Sequence, residues 1–306
     1  MPKEIVVSIS CITYNHAPYI RQCLDGFMMQ QTDFAYEVLI HDDASTDGTT
    51  EIIKEYETKY PDIIKPIYEE ENQWVKGRKG SAVFNFPRAK GKYIALCEGD
   101  DYWTDPLKLQ KQVDILEGNL NYSICCHKYQ WLNDSDLNIC VSEDNEVILP
   151  DSSFNLDTLL NSRLWIIQPL TVVFRKNMFD LNEYQKYAFA KDVTLFYHLL
   201  KKGDAYLMSD IMGIYRIHDG GAFSNLSWAN KLLDDLRTIL GISEVENDER
   251  SANYLQWAVD RVISNLGRKE ILKQLNLFYR AESILSQYYG KFNVYKTILT
   301  KMIKRK

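Results

Sequence analysis

Residues 5–12, IVVSISCI, form a β-branched, apolar run of strand length, and the polar break TYNHAP follows it. Beyond the break, Ile20, Cys23, Leu24, Phe27 and Met28 recur at i, i+3, i+4, i+7 and i+8, which is one face of a helix. Tyr36–Ile40 reads as a second strand, HDDASTDG as a loop, and TTEIIKEYETKY as a helix stopped by Pro61. Residues 63–68 predict another short strand, and the stretch 69–92 is polar, with Gly77, Gly80 and Gly91. YIALC predicts a strand and EGDDYW a loop. The next helix is expected to start with Thr104 or Asp105 as cap and Pro106 in its first turn, and to end at Gly118.

Strands alternating with helices over the first ~120 residues imply parallel βαβ units and a doubly wound sheet. Ligands of such sheets bind beyond the carboxyl ends of the strands. Three polar clusters fall at strand ends: Thr13-Tyr14-Asn15-His16, His41-Asp42-Asp43 and Glu98-Gly99-Asp100-Asp101. They are expected to converge on one edge. From residue 121 the pattern changes: YSICCHKY, EVILP, LTVVFRK and AYLMSDIMGIYRIH read as strands, and KDVTLFYHLLKK as a helix. After Ser224 strand signals cease. Residues 226–306 read as several helices, YLQWAVDRVISNL and EILKQLNLFYRAESILSQYY among them.

Asp100 and Asp101 emerge directly from an apolar strand. Adjacent carboxylates repel, and burying either without a partner is costly, so something positive belongs beside them. A hard divalent cation held together with nucleotide phosphates suits the pair; a pair of helix N-terminal acids is the blander reading. In YEVLIHDDASTDGT, Ser45 to Asp47 suit turn and capping chemistry, while Asp43 is placed to accept hydrogen bonds from a base or ribose.

Composition narrows the class. At 306 residues the chain accommodates one large α/β domain plus an appendage. A net charge of −6 gives no global basic field for nucleic acid. No stretch approaches the roughly 20 apolar residues that span a bilayer, and MPKEIVVSIS lacks the features of a signal peptide, so a cytoplasmic protein is expected. The six cysteines show no CxxC spacing and mostly lie in apolar runs, as reduced core thiols do; metal ligation by Cys125 and Cys126 is disfavoured. Twenty tyrosines and six tryptophans are rich enough to supply a sugar or base platform, although aromatic residues more often fill cores.

Two segments, CITYNHAPYIRQCLDGFMMQQTDFAYEVLIHDDASTDGT and AKGKYIALCEGDDYWTDPLKLQKQV, resemble the opening and the metal-motif segment of family 2 glycosyltransferases. The resemblance covers about residues 4–220 and leaves the helical tail outside. It implies the GT-A fold, a doubly wound mixed sheet, over residues 1–225, with a nucleotide-binding half (1–120), an acceptor and catalytic half (121–225) and a helical extension over 226–306. It also implies a metal-dependent, inverting transfer from a nucleotide-diphosphate sugar, UDP-linked by preference, to a glycan or lipid-linked acceptor. The bacterial surface glycans are the expected products, made at the inner face of the membrane.

Roles follow from the same resemblance. Thr13, Tyr14 and Asn15 pack on the donor's base, and Asp43, with Asp42 beside it, reads that base. The DxD motif appears as Glu98-Gly99-Asp100-Asp101: Asp101 is the expected ligand of Mn²⁺ or Mg²⁺, and Asp100 the ribose or phosphate contact. Two departures stand out, Ala44 where glycine is usual and Glu98 at the first acid. Arg78, flanked by Lys76 and Lys79, is either a pyrophosphate partner or part of a solvated basic turn. AFAKDVTLFYHLL looks like the acidic motif at a helix start that holds the general base, which assigns that role to Asp192; a helix-dipole acid is the alternative. IYRIHDGGAFS resembles the closing Tyr-Arg-x-His loop, which makes His218 a metal or diphosphate contact with Arg216 nearby. Trp165 or Gln168 is expected to reach the acceptor sugar.

Two other functions compete. A sugar-nucleotide pyrophosphorylase usually shows a Gly-rich N-terminal phosphate loop, which CITYNHAP lacks. A non-catalytic glycan-binding module would keep the sheet without Asp192 and the metal acids together. The tail, 290–306, carries Lys291, Lys296, Lys301, Lys304, Arg305 and Lys306 beside a stripe of Val294, Ile298 and Met302. Such a helix either lies on an anionic membrane surface or packs on its own domain. The helical tail also offers a surface for oligomerisation.

Overall fold

The apolar runs form the inner strands of one mixed sheet in a computed structural model that describes residues 4–77, 80–135, 138–141, 151–162, 167–221 and 226–289. The strands are β1 (Ile5–Thr13), β2 (Ala35–Asp42), β3 (Ile64–Tyr68), β4 (Tyr93–Leu96), β5 (Tyr102–Trp103), β6 (Tyr122–Asn133), β7 (Asn138–Val141), β8 (Ser152–Phe154), β9 (Val173–Arg175) and β10 (Asp204–Ile217). The helices are α1 (Ile20–Met28), α2 (Thr49–Lys59), α3 (Ser81–Phe84), α4 (Lys108–Gly118), α5 (Leu156–Ser162), α6 (Leu181–Tyr184), α7 (Asp192–Leu200), α8 (Trp228–Glu246), α9 (Glu249–Asn265), α10 (Arg268–Lys273) and α11 (Leu275–Tyr289).

The strand order is β3-β2-β1-β4-β9-β6-β10-β5, with β7 on β6 and β8 on β10. β1, β2, β3 and β4 run parallel, and β9 is antiparallel to both β4 and β6. β6 and β10 are parallel again. This is the doubly wound mixed sheet expected of the GT-A fold. Val7, Ile9 and Cys11 of β1 pack with Val38, Ile40, Tyr93 and Ala95 and with the apolar face of α1, and Ser8 and Ser10 on the opposite face are buried too, so both sides of this central strand are covered.

Parallel register is what gathers the polar clusters. Thr13 is paired with Asp42, and Asp42 with Tyr68. The amide of Asp43 donates to the Thr13 carbonyl at 3.0 Å, and that of Gly99 to the Ile12 carbonyl, also at 3.0 Å. The three clusters therefore leave the sheet along one edge. Behind them, the fully buried Asn85 donates to Ser10 Oγ, the Cys11 carbonyl and the Leu39 carbonyl, tying the segment after the polar stretch to β1 and β2.

Some local expectations shift. The cap of α4 falls at Leu107, not at Thr104 or Asp105, although Asp105 Oδ1 accepts the Leu107 amide at 2.7 Å and so still helps start the helix. The strands β5, β7 and β8 are too short to announce themselves by periodicity. The helix expected across EILKQLNLFYRAESILSQYY is interrupted at Gln274, between α10 and α11. EVILP, Arg78, Trp165 and the tail 290–306 lie outside the described residues. The six thiols form no disulfide, and five of them are buried.

The chain divides into two compact units: residues 1–181 with 196–218, and residues 182–195 with 219–306. The second has its own core, in which Leu236, Leu240, Leu255, Val259, Phe278 and Leu285 interlock α8, α9 and α11. No helix among the described residues is long and apolar enough to cross a membrane.

Ala44 holds a left-handed backbone, φ 63°. That conformation costs an L-residue about 1–2 kcal/mol, which explains the more usual glycine. Ala44→Gly is expected to stabilise the protein by about 0.5–1 kcal/mol, after the flexibility glycine adds to the unfolded chain is subtracted. A thermal melt showing no rise in Tm would refute this.

Candidate functional site

The first loop is shaped by its own backbone. Asn15 is also left-handed, φ 55°. Its amide donates to Ser45 Oγ at 2.9 Å, and its side-chain carbonyl accepts the Thr46 amide at 2.8 Å. The His16 amide donates to Thr49 Oγ1, and the Ala17 amide to Asp47 Oδ2. Ser45 thus stitches the first loop to the second; the N-cap of α2 is Gly48, and Asp47 just before it accepts from the Thr49 amide and hydroxyl. The same stitching leaves Tyr14 on the surface, 45 % exposed.

The two acids of the second loop are both occupied. Asp42 accepts from the Ser45 amide and from the Thr50 hydroxyl. Asp43 accepts the amides of Gln73, at 2.6 Å, and Trp74, at 3.1 Å. A carboxylate has about four lone-pair sites, so Asp43 retains acceptor capacity after these two bonds.

The third loop reaches the first because residue 99 is glycine. A Cβ there would lie 2.6 Å from Thr13 Oγ1 and 3.0 Å from His16 Nδ1. This close approach sets Asp100 between two imidazoles: Oδ2 is 3.1 Å from His218 Nε2 and 3.7 Å from His16 Nε2. Ligand atoms of His16, Asp100 and His218 all lie within 4.8 Å of one another. Burial alone would raise the Asp100 carboxyl, but hydrogen bonding to His218 and the His16 charge outweigh it and hold the group below its ordinary value. Burial lowers His16, against the pull of Asp100. Asp100 Oδ1, His16 Nδ1 and Thr13 Oγ1 are buried without a hydrogen-bond partner.

Asp101 faces the other way. It is 3 % exposed, and its Oδ1 accepts the Arg216 amide at 2.9 Å. Burial and the neighbouring Asp100 carboxylate push its carboxyl well above the usual range. Arg216 is the hub of this loop: Nε donates to the Asp100 carbonyl, one terminal nitrogen to Asp134 at 2.9 Å, the other to Gln22 at 2.7 Å. Its guanidinium also lies over the Tyr19 ring, 4.7 Å from the centroid. Behind Trp103, the buried Lys108 donates to Gln112 and stands 4.0 Å from the indole centroid; burial brings its ammonium down to about 7.

The donor set fits a divalent cation. It combines a carboxylate with a bare oxygen, and two imidazoles, a combination that takes Mn²⁺ more readily than Mg²⁺. Among the predicted residues, Asp100 and His218 come together here, Asp101 lies one position behind, and Thr13 borders the loop. His16 was not singled out from the sequence; only its place at a strand end pointed to it.

Asp192 opens α7 in the second unit. Partly open to solvent and otherwise hemmed in by protein, its carboxyl is raised by burial to about 6, with Lys191 opposing the shift. Lys191 pairs with Asp234 at 2.6 Å. Gln168 is half-buried, and its carbonyl accepts from Thr171.

The profile of the family described as Glycosyl transferase family 2 matches residues 8–179. An uncharacterized protein of Mycobacterium tuberculosis is 36 % identical over 217 residues, a match covering 70 % of this chain and 60 % of that relative. The chain therefore spans less than two thirds of that relative's length. The Bacillus subtilis protein TuaG, named as a teichuronic acid biosynthesis glycosyltransferase, is 29 % identical over 222 residues, covering 72 % of this chain and 82 % of TuaG. Among solved structures, S. aureus TarS 1–349 in complex with UDP-GlcNAc matches with a TM-score of 0.68 at 18 % identity, covering 99 % of this chain and 93 % of that one. The mannosyltransferase PcManGT from Pyrobaculum calidifontis, in complex with GDP-Man and Mn²⁺, matches with a TM-score of 0.53 at 15 % identity, covering 99 % and 88 %. At such identities the structural likeness establishes the fold.

Calorimetric titration with MnCl₂ is expected to show a site that Asp100→Ala removes and His16→Ala weakens by about tenfold or more. Undiminished Mn²⁺ affinity in both variants would exclude the cluster as the metal site.

Proposed function

The chain belongs to glycosyltransferase family 2, and from that premise we propose that it transfers a sugar from a UDP-linked donor to a hydroxyl of a glycan or lipid-linked saccharide, inverting the anomeric carbon. The observation that carries this reading is Asp100, held between two imidazoles at the carboxyl edge of a parallel sheet with one buried oxygen unpartnered. A UDP-GlcNAc complex of a protein with the same fold supports the choice of donor class. The name of TuaG supports a surface polysaccharide as the destination.

In this reading Tyr14 and Asn15 border the base, and Asp43 accepts a hydrogen bond from the uracil or ribose with its remaining lone pairs. Asp100, His218 and His16 hold the cation, while Asp101 keeps the loop in place through the Arg216 amide. A bound divalent cation supplies positive charge where the diphosphate leaves. Asp192 accepts the proton of the acceptor hydroxyl. That oxygen bonds to the anomeric carbon from the face opposite the diphosphate, and the carbon–oxygen bond to the phosphate breaks with its electron pair going to UDP. No covalent enzyme intermediate is needed.

A UDP-release assay across a panel of donors and acceptors tests the reading directly. Asp192→Asn removes the proton acceptor while nearly preserving shape, so UDP affinity should survive and turnover should fall by ~10²-fold or more. Turnover within a few-fold of the parent would assign the base elsewhere.

A second outcome concerns pH. Asp192 accepts a proton only as the carboxylate, and its carboxyl is raised to about 6. Turnover should be level above that value and fall about tenfold per unit below it. A profile flat down to pH 5 would rule Asp192 out.

A further inference from the structure

The second unit carries an aromatic ladder that the transfer chemistry leaves unused. Trp228, at the start of α8, is 58 % exposed. The Arg261 guanidinium lies over its ring, 5.5 Å from the centroid, and over the Trp257 ring at 5.3 Å. Trp257 in turn stacks on Tyr254, with the ring planes 1° apart and the centroids 5.4 Å apart. Asp235 fixes the arginine through a 3.0 Å ion pair. The outermost indole is therefore backed by a cation and two further rings, with its remaining surface open to water.

We propose that Trp228 is a stacking platform for a sugar ring of the acceptor chain. This rests on the transferase reading. A pyranose presents an apolar face of C–H bonds edged by hydroxyls. An open indole takes that face, while Arg261, held by Asp235, backs the ring. Rigid backing favours binding because no side chain has to be ordered when the sugar arrives. The platform belongs to the same unit as the proposed base: Asp234, whose carboxylate holds Lys191, follows Trp228 on α8 by about 9 Å of helix. Stacking on Trp228 adds a contact beyond the reacting hydroxyl, so the site favours an oligosaccharide over a single sugar.

The test uses the full chain on a printed array of bacterial surface oligosaccharides of graded length, with UDP binding measured alongside. The native protein should retain a set of glycans that grows with chain length. Trp228→Ala should lose retention by about tenfold or more, Trp228→Phe should keep much of it, and all three should bind UDP alike. Tyr279→Ala, which removes another exposed ring of the same unit, should change nothing. Equal retention by Trp228→Ala, or no glycan retained by a native protein that binds UDP, overturns the platform and leaves the transferase reading standing. Loss of self-association or of liposome sedimentation in Trp228→Ala, with glycan retention intact, also overturns it by making the ring a docking face. A native protein that binds no UDP under any metal condition would instead sink the transferase reading.

Discussion

Arg216 is the constraint on which the acidic loop depends. Two adjacent carboxylates at the end of a buried strand need compensation close at hand, and this residue supplies it three ways. Its amide takes Asp101, its Nε takes the Asp100 carbonyl, and its terminal nitrogens anchor Gln22 and Asp134. Removing one member of a buried ionic network of this kind typically costs about 3–5 kcal/mol, because the remaining charges stay buried and uncompensated. With β10 thus locked to the loop, Asp100 is left free to face His16 and His218.

The loop also separates two carboxyls of identical chemistry. Asp100 is held ionised by its imidazole neighbours, and Asp101 is driven toward its neutral form by burial and by Asp100. Like charges next to each other seldom ionise together, and position decides which one does. Asp43 shows the same economy in the neighbouring loop, where two backbone amides fix the carboxylate and leave lone pairs over.

Much of this was legible in the chain itself. Long apolar runs marked β1, β2 and β4, and polar residues immediately after them marked the edge where the loops gather, because parallel register follows from alternation of strands and helices. The departure at Ala44 was visible in the sequence, but its left-handed φ became clear only from the backbone. What stayed hidden depends on neighbours far apart in sequence. His16 meets Asp100 only because β1 pairs with β4 and Gly99 lets the loops touch. Arg216 stood out in the sequence only as a neighbour of His218, and its hold on the acidic loop shows once β10 is placed against β5 and β6. The short strands have too few residues for any period to show, and the aromatic ladder joins α8 to α9 in a region with no motif.

The threading of the chain sets an order of assembly during synthesis. Residues 182–195 are made in the middle of the polypeptide, yet they fold with 219–306. As the chain emerges from the ribosome, the sheet can close once β10 is out, whereas the segment bearing Asp192 must wait for helices still being translated. The nascent protein would therefore acquire the edge that gathers its three polar loops before it acquires the proposed base. A truncation at residue 225 would leave that segment permanently without its partners, so the two units cannot be separated by one cut.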